Sequence, residues 1–180
     1  MRTVIVYESL FGNTRRVAET VAEGFGPDAD VRLLPVAQAD PATLGPVDLL
    51  VVGGPTHLRG MSRPSTRKGG LDHARRSNGV LTPEPGADSG PGVREWLAGA
   101  GHVATWAAPF DTRLKGPAWA TGRASRSIRR VLRHRGMTVV AGPESFLVDR
   151  KGVLLPGELE RARAWGARLA TMVQRTRMPT

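Results

Sequence analysis

Ser9, Gly12, Asn13 and Thr14 stand where a short β-branched run, Val4-Ile5-Val6, gives way to a helical pattern. Val17, Val21 and Phe25 recur every fourth residue and predict a helix that starts at about Asn13. The first turn of such a helix has amide N–H groups with no carbonyl partner and carries the positive end of the helix dipole. That arrangement holds an anion, phosphate above all. Ser9, Asn13 and Thr14 add side-chain donors, and Gly12 lets the backbone approach a ligand closely. The same residues also make an ordinary strand-to-helix turn. Arg15 and Arg16 lie in the first helical turn, where cations oppose the dipole. A bound phosphate dianion would reverse that repulsion, and side chains extended into water would make its cost small. Two further segments could meet a ligand: Gly53-Gly54-Pro55-Thr56-His57-Leu58-Arg59-Gly60-Met61 and Trp106-Ala107-Ala108-Pro109-Phe110-Asp111-Thr112-Arg113.

The elements that would position these segments alternate between strand and helix, the mark of an α/β doubly wound parallel sheet. Strands are predicted at residues 2–7, 31–36, 47–53, 102–108 and 138–148, the last interrupted at Gly142-Pro143. Helices are predicted at 13–26, 93–98, 118–135 and 156–175, with a short turn or helix at 41–44. The third strand, from Val47, is apolar almost throughout, as a strand buried on both faces reads. Glu158 and Glu160 lie near the start of the last helix, with Arg168 and Arg175 near its end, which favours the dipole. Residues 61–92 break the pattern with Gly69-Gly70, Pro83-Glu84-Pro85-Gly86 and Ser89-Gly90-Pro91-Gly92. They are read as a flexible excursion in a single domain spanning 1–180. In an open parallel sheet, ligands bind beyond the carboxyl ends of the strands where the strand order reverses, which brings the three segments to one site.

The loop Ser9-x-Phe11-Gly12-x-Thr14 resembles the phosphate loop T-x-T-G-x-T of the flavodoxin-like family. Ser replaces the first Thr and Phe the second, so one hydroxyl donor is missing. The quinone-reductase branch of that family also carries an aromatic there, as S-x-Y-G. Gly54-Pro55-Thr56-His57 is similar to the family's G-x-P-T segment beside the isoalloxazine ring. The segment after the fourth strand matches the loop over the opposite ring face. The resemblance implies a five-stranded parallel sheet of order 2-1-3-4-5 and FMN as cofactor. It implies binding by Ser9, Leu10, Phe11, Gly12, Asn13 and Thr14 at the phosphate. Pro55, Thr56, His57, Leu58, Arg59 and Gly60 would lie along one side of the ring. Ala107, Ala108, Pro109, Phe110, Asp111 and Thr112 would lie along the other, with Phe110 as ring-stacker and Asp111 and Thr112 at the pyrimidine edge. As alternatives, His57 bonds backbone, and Asp111 closes a turn packed by Phe110. With one Tyr and four Phe in the chain, two large aromatics on the two ring faces are not expected, and weaker FMN affinity follows.

The chain has 180 residues and a net charge of +10, carried by 26 basic residues of which three are lysines. A basic surface attracts acidic proteins, anionic lipid or nucleic acid. Arg123, Arg126, Arg129, Arg130 and Arg133 lie on one predicted helix, as a solvated face or a docking surface. No aromatic platform interleaves with the charge and no DNA-reading motif is visible, so nucleic acid is not expected. Cysteine is absent, which removes disulfides, thiol catalysis and thiolate metal sites, and the four histidines show no paired ligand spacing. No metal is expected. No apolar run reaches the roughly 20 residues of a membrane span, and no leader pattern precedes the first strand. A cytoplasmic redox protein is expected, either an electron carrier or a small oxidoreductase. Its partner would be a redox protein or a quinone-like acceptor, with weak contact to an anionic membrane surface. The alternatives are an FMN-dependent quinone or protoporphyrinogen-type oxidoreductase and a flavin-free interaction module. No acid–base pair stands out as catalytic.

Overall fold

The computed structural model describes residues 1–76, 81–87 and 90–177, the side chain of the last excepted. Seven strands and six α-helices follow the chain as β1 (Arg2–Tyr7), α1 (Asn13–Glu23), β2 (Asp30–Pro35), β3 (Leu49–His57), β4 (Gly60–Met61), α2 (Pro64–Arg76), α3 (Val93–Gly99), β5 (Trp106–Leu114), α4 (Ala118–Thr121), α5 (Ala124–His134), β6 (Thr138–Val139), β7 (Glu144–Val148) and α6 (Glu158–Arg177). A 3-10 turn at Val36–Gln38 follows β2. The parallel sheet runs β2-β1-β3-β5, with β6 and then β7 beside β5 as the two halves of one interrupted strand. This is the predicted order 2-1-3-4-5, with the strand order reversing between β1 and β3.

Both faces of the sheet are covered. Val4, Val6, Leu50 and Val52 point to α3 and α5, where Leu97, Ile128 and Leu132 complete a core. Ile5, Tyr7, Leu49 and Val51 point the other way, to α1 and α6, with Val17, Val21, Leu169 and Val173. Alternate residues of one strand feed opposite faces, so a strand buried on both sides is apolar throughout.

Three sequence readings are corrected. First, β3 does not stop at Gly53 but continues to His57 and turns back through Leu58-Arg59 into β4. Both turn residues have positive φ, 43° and 74°, as tight two-residue hairpins require and as non-glycine residues seldom adopt. Second, β5 runs from Trp106 to Leu114, not from His102 to Ala108. Pro109 suggests a strand end, yet it falls at the break between β6 and β7, between the pairs Ala107↔Val139 and Phe110↔Glu144, where no ladder hydrogen bond is lost. Third, residues 61–92 are not patternless. They hold the end of β4 and the helix α2, whose Leu71 and Ala74 are buried. Ser77 to Val80, Asp88 and Ser89 lie outside the described residues. Among the described residues no helix is long and apolar enough to cross a membrane.

Candidate functional site

The loop after β1 delivers Gly12 at φ 85°, a left-handed conformation that glycine adopts without penalty, and α1 begins at the next residue. Arg16 N–H donates to Gly12 O at 3.0 Å as the first helical bond, so the amides of Asn13, Thr14 and Arg15 have no intrahelical acceptor. Gly12 N–H donates to Ser9 Oγ at 3.1 Å, which closes the loop. The side chains behave less uniformly than their types suggest. Thr14 Oγ1 is buried against Thr112 Oγ1 at 2.8 Å, and Asn13 Nδ2 donates to Gly152 O at 2.6 Å. Those two contacts tie the loop to β5 and to the segment after β7. Arg15 neither faces water alone nor waits for an anion. Its Nε donates to both oxygens of Glu84, at 2.9 and 3.1 Å, and its Nη1 to Glu19 at 2.9 Å. Glu84 is itself pinned, because its N–H donates to Leu10 O at 2.9 Å. An internal carboxylate therefore already rests against the outer side of the anion loop.

Beside the loop opens a cleft of about 250 Å³. Leu10, Phe11, Asn13, Thr14, Pro55, Thr56, His57 and Thr112 line it, all expected from sequence. Arg113, the end of the 106–113 candidate segment, lines it too; Leu114, Val148, Gly152, Leu81, Asp149, Arg150 and His73 also do, and none of these seven is assigned to the site by the sequence. The shift to β7 and its following loop comes from the true extent of β5, which carries the sheet's edge several residues further than Pro109 suggests. Enclosed ligand pockets run to roughly 300–1,000 Å³, and this cleft is smaller and open at its rim. Leu58, Arg59 and Gly60 form the hairpin turn at the rim, and Ser9 faces a smaller cavity of about 100 Å³ on the β2 side, with Glu84.

The segment 107–111 is not a ligand loop. Ala107 and Ala108 are fully buried within β5. Phe110 is also fully buried, edge-on to Phe146 at 6.1 Å and to Trp165 at 5.9 Å between centroids. Its ring lies over Gly53, its register partner on β3, where any Cβ would overlap it. It is a core residue and stacks on no ligand. Asp111 Oδ2 accepts from both the N–H and the Oγ of Ser125 at 2.8 Å, and Thr56 Oγ1 accepts from Ala124 N–H at 2.9 Å. These two residues cap α5, whose own preceding residue, Arg123, offers no cap. Burial raises the Asp111 carboxyl above the usual aspartate range, against the lowering effect of its bonds to Ser125.

Behind the cleft sits a polar network that sequence spacing does not reveal. Glu8, nearly buried, accepts from Ser62 Oγ at 2.5 Å and from Val93 N–H at 2.8 Å. Arg67 donates to Ser62 Oγ at 3.2 Å and to Glu95 at 2.9 Å, which fastens α2 to β1 and α3. His57 is lowered below the usual histidine range, first by burial, with Glu8 opposing and Arg67 reinforcing. That shift favours the uncharged ring. Arg113 Nη1 donates to Leu114 O, Gly116 O and Thr121 Oγ1 at 2.8–3.2 Å and braces the loop after β5.

No protein-family model and no curated protein matches the chain. Solved structures do. A flavodoxin from the domain Archaea superposes with a TM-score of 0.64 at 18% identity, over 97% of this chain and 99% of that one. A flavodoxin, WrbA-like protein from Agrobacterium tumefaciens gives 0.57 at 23% identity, over 97% and 98%. The rubredoxin oxygen:oxidoreductase of Desulfovibrio gigas gives 0.63 at 16% identity, over 97% of this chain and 36% of its own. Element order, sheet topology and these superpositions agree, and the chain has the flavodoxin-like fold.

Proposed function

We propose that the protein binds FMN with the phosphate at the first turn of α1 and works as a redox protein. The observation that carries this reading is positional: unpaired amides of a helix start, after a left-handed glycine, at the mouth of a cleft where the strand order reverses. The solved structures of like fold include flavodoxins, which supports a flavin at this place. The residues fit the group. The amides of Asn13, Thr14 and Arg15 would hold the phosphate, with Gly12 allowing close approach. Thr14 and Asn13 serve the loop's shape, because their side chains are already bonded to Thr112 and Gly152. His57 and Leu114 at the ends of the neighbouring strands β3 and β5, with Leu81 and Val148, would offer a flat ring apolar or neutral surface. This takes the ring-facing role from Phe110. FMN supplies one- and two-electron transfer when bound; the protein's part is to hold it, limit water and set the local charge.

Electrons would pass to a redox partner protein or a small quinone-like acceptor, with cytoplasmic work as the expected setting. The cleft opens at its rim rather than into a deep substrate chamber, which favours transfer at an exposed ring edge over a reductase with an enclosed substrate. Stopped-flow reduction of the FMN-loaded protein, followed by mixing with a water-soluble quinone, separates the two. A carrier oxidises slowly and without saturation, whereas a quinone reductase shows a saturable rate. Retention of no flavin at all would leave the fold as an interaction module.

A further inference from the structure

We propose that the end of the molecule around the cleft mouth is a docking surface for an anionic lipid bilayer. Leu58 and Trp119 are 87% and 81% exposed, and Leu114 and Val153 are about half exposed at 50% and 54%. These are four of the five large apolar side chains left in water among the described residues, and they share one end of the sheet. Continuity between them is structural. Arg59, next to Leu58, bridges to Gly122, which ends the short helix carrying Trp119. Lys115, next to Leu114, donates its N–H to Val148 O at 2.8 Å, and Val148 bridges to Leu154, next to Val153. Leu58 and Trp119 do not line the cleft, so they stand outside the ligand site rather than within it.

The charge around these side chains has one sign. From Arg113 to Arg126, which covers the loop after β5 and the start of α5, the chain carries four Arg or Lys and no Asp or Glu, and residues 57–71 also lack acids. Exposed Arg59, Lys115, Arg126, Arg150 and Lys151 surround the apolar tips. The one carboxylate in the loop after β7, Asp149, is engaged by the N–H groups of Lys151 and Val153 at 2.8 and 2.9 Å. An acidic protein would match the charge but would need pockets for two protruding tips. A bilayer surface matches both features. Anionic headgroups take the cations, and the interfacial region takes a Leu and a Trp, the residue most at home there. The cleft mouth would then face the membrane, where lipid-soluble acceptors reside.

Trp119 makes the test direct. Trp96 and Trp165 are buried and Trp106 is half-buried, so a change in emission on docking reports mainly Trp119. The full chain, without added flavin, is mixed with vesicles of phosphatidylcholine containing about a third phosphatidylglycerol. The expected result is co-sedimentation that weakens with salt, a blue-shifted emission, and quenching by brominated lipid chains. Leu58→Ser with Trp119→Ser should weaken binding about tenfold or more. Lys115→Glu with Arg126→Glu should weaken it about fivefold per site or more. All four side chains are exposed, and unchanged thermal unfolding would exclude misfolding. No binding to anionic vesicles would overturn the proposal. So would binding that leaves Trp119 emission unmoved, or FMN quenching of Trp119 with no response to lipid, which would assign the patch to the cofactor site.

Discussion

Residues chosen by type end up with divided roles, and burial decides which. Asp111 was expected at a ligand edge and instead caps α5 from inside the core, with Oδ1 lacking a hydrogen-bond partner. Its carboxyl is raised by burial, so folding favours the protonated form relative to the unfolded chain. Its contribution to stability is present below the usual aspartate range and is lost as pH rises through the raised value. Asp111→Asn keeps an acceptor for Ser125 and should match or exceed the parent in urea stability at neutral pH. The advantage should vanish at low pH. Asp111→Ala should cost about 2 kcal/mol at low pH, because two buried donors lose their acceptor, and less as pH rises. His57 behaves oppositely. Burial lowers it, so its contribution is present above the usual histidine range and is lost as pH falls through its folded value. Imidazole proton shifts should show a neutral ring at pH 7, and His57→Gln should flatten the acid limb of stability. Glu84 is a charge that no spacing argument assigns to the anion loop. Its neighbours in sequence are Pro83 and Pro85, and only the folded chain brings it against Gly12 and Arg15. Glu84→Gln removes a like charge and frees Arg15 for the phosphate, and should tighten FMN roughly fivefold in fluorescence titration.

At the level of elements, periodicity was a sound guide where a strand or helix had one clear pattern, and it failed where one residue mimicked a boundary. The β1–α1 unit was legible because β-branched residues give way at once to a four-residue apolar repeat. The end of β5 was not, because Pro109 reads as a stop unless the break between β6 and β7 is known. Phe110 then passed for a loop aromatic, although its space in the core is made by Gly53 on the neighbouring strand. Helix α2 hid behind Gly69-Gly70, since its hold comes from Arg67, Leu71 and Ala74 rather than from helix propensity. Arg67 is therefore a poor tryptic site, and limited proteolysis should cut after Arg75 or Arg76 before Arg67. Helices α1 and α6 meet at Gly24 and Gly166, where a Cβ on Gly166 would strike the Val21 carbonyl. Gly166→Ala gains about 1 kcal/mol of helix propensity. It should still lose stability in urea, because overpacking costs about 1–3 kcal/mol.

For the molecule as a whole, the fold is legible in full outline and the candidate site in part: the turn into α1 and its place beside the cleft read from sequence, while the outer wall comes from β7 and its loop. The chain carries a net charge of +10, and Arg113 brings some of it to the cleft wall. A cation there favours a bound flavin that has taken up electrons, so Arg113→Gln should lower the reduction potential in spectroelectrochemistry. The central claim is that FMN is held by its phosphate at the start of α1. Parallel fluorescence titrations with FMN and riboflavin, on the parent chain and on Gly12→Val, test it most directly. The account predicts that the parent binds FMN at least about tenfold tighter than riboflavin, since charge-assisted hydrogen bonds contribute about 1.5–3 kcal/mol each. Gly12→Val should erase that difference. Equal affinity for the two flavins, or no binding of either, would contradict it.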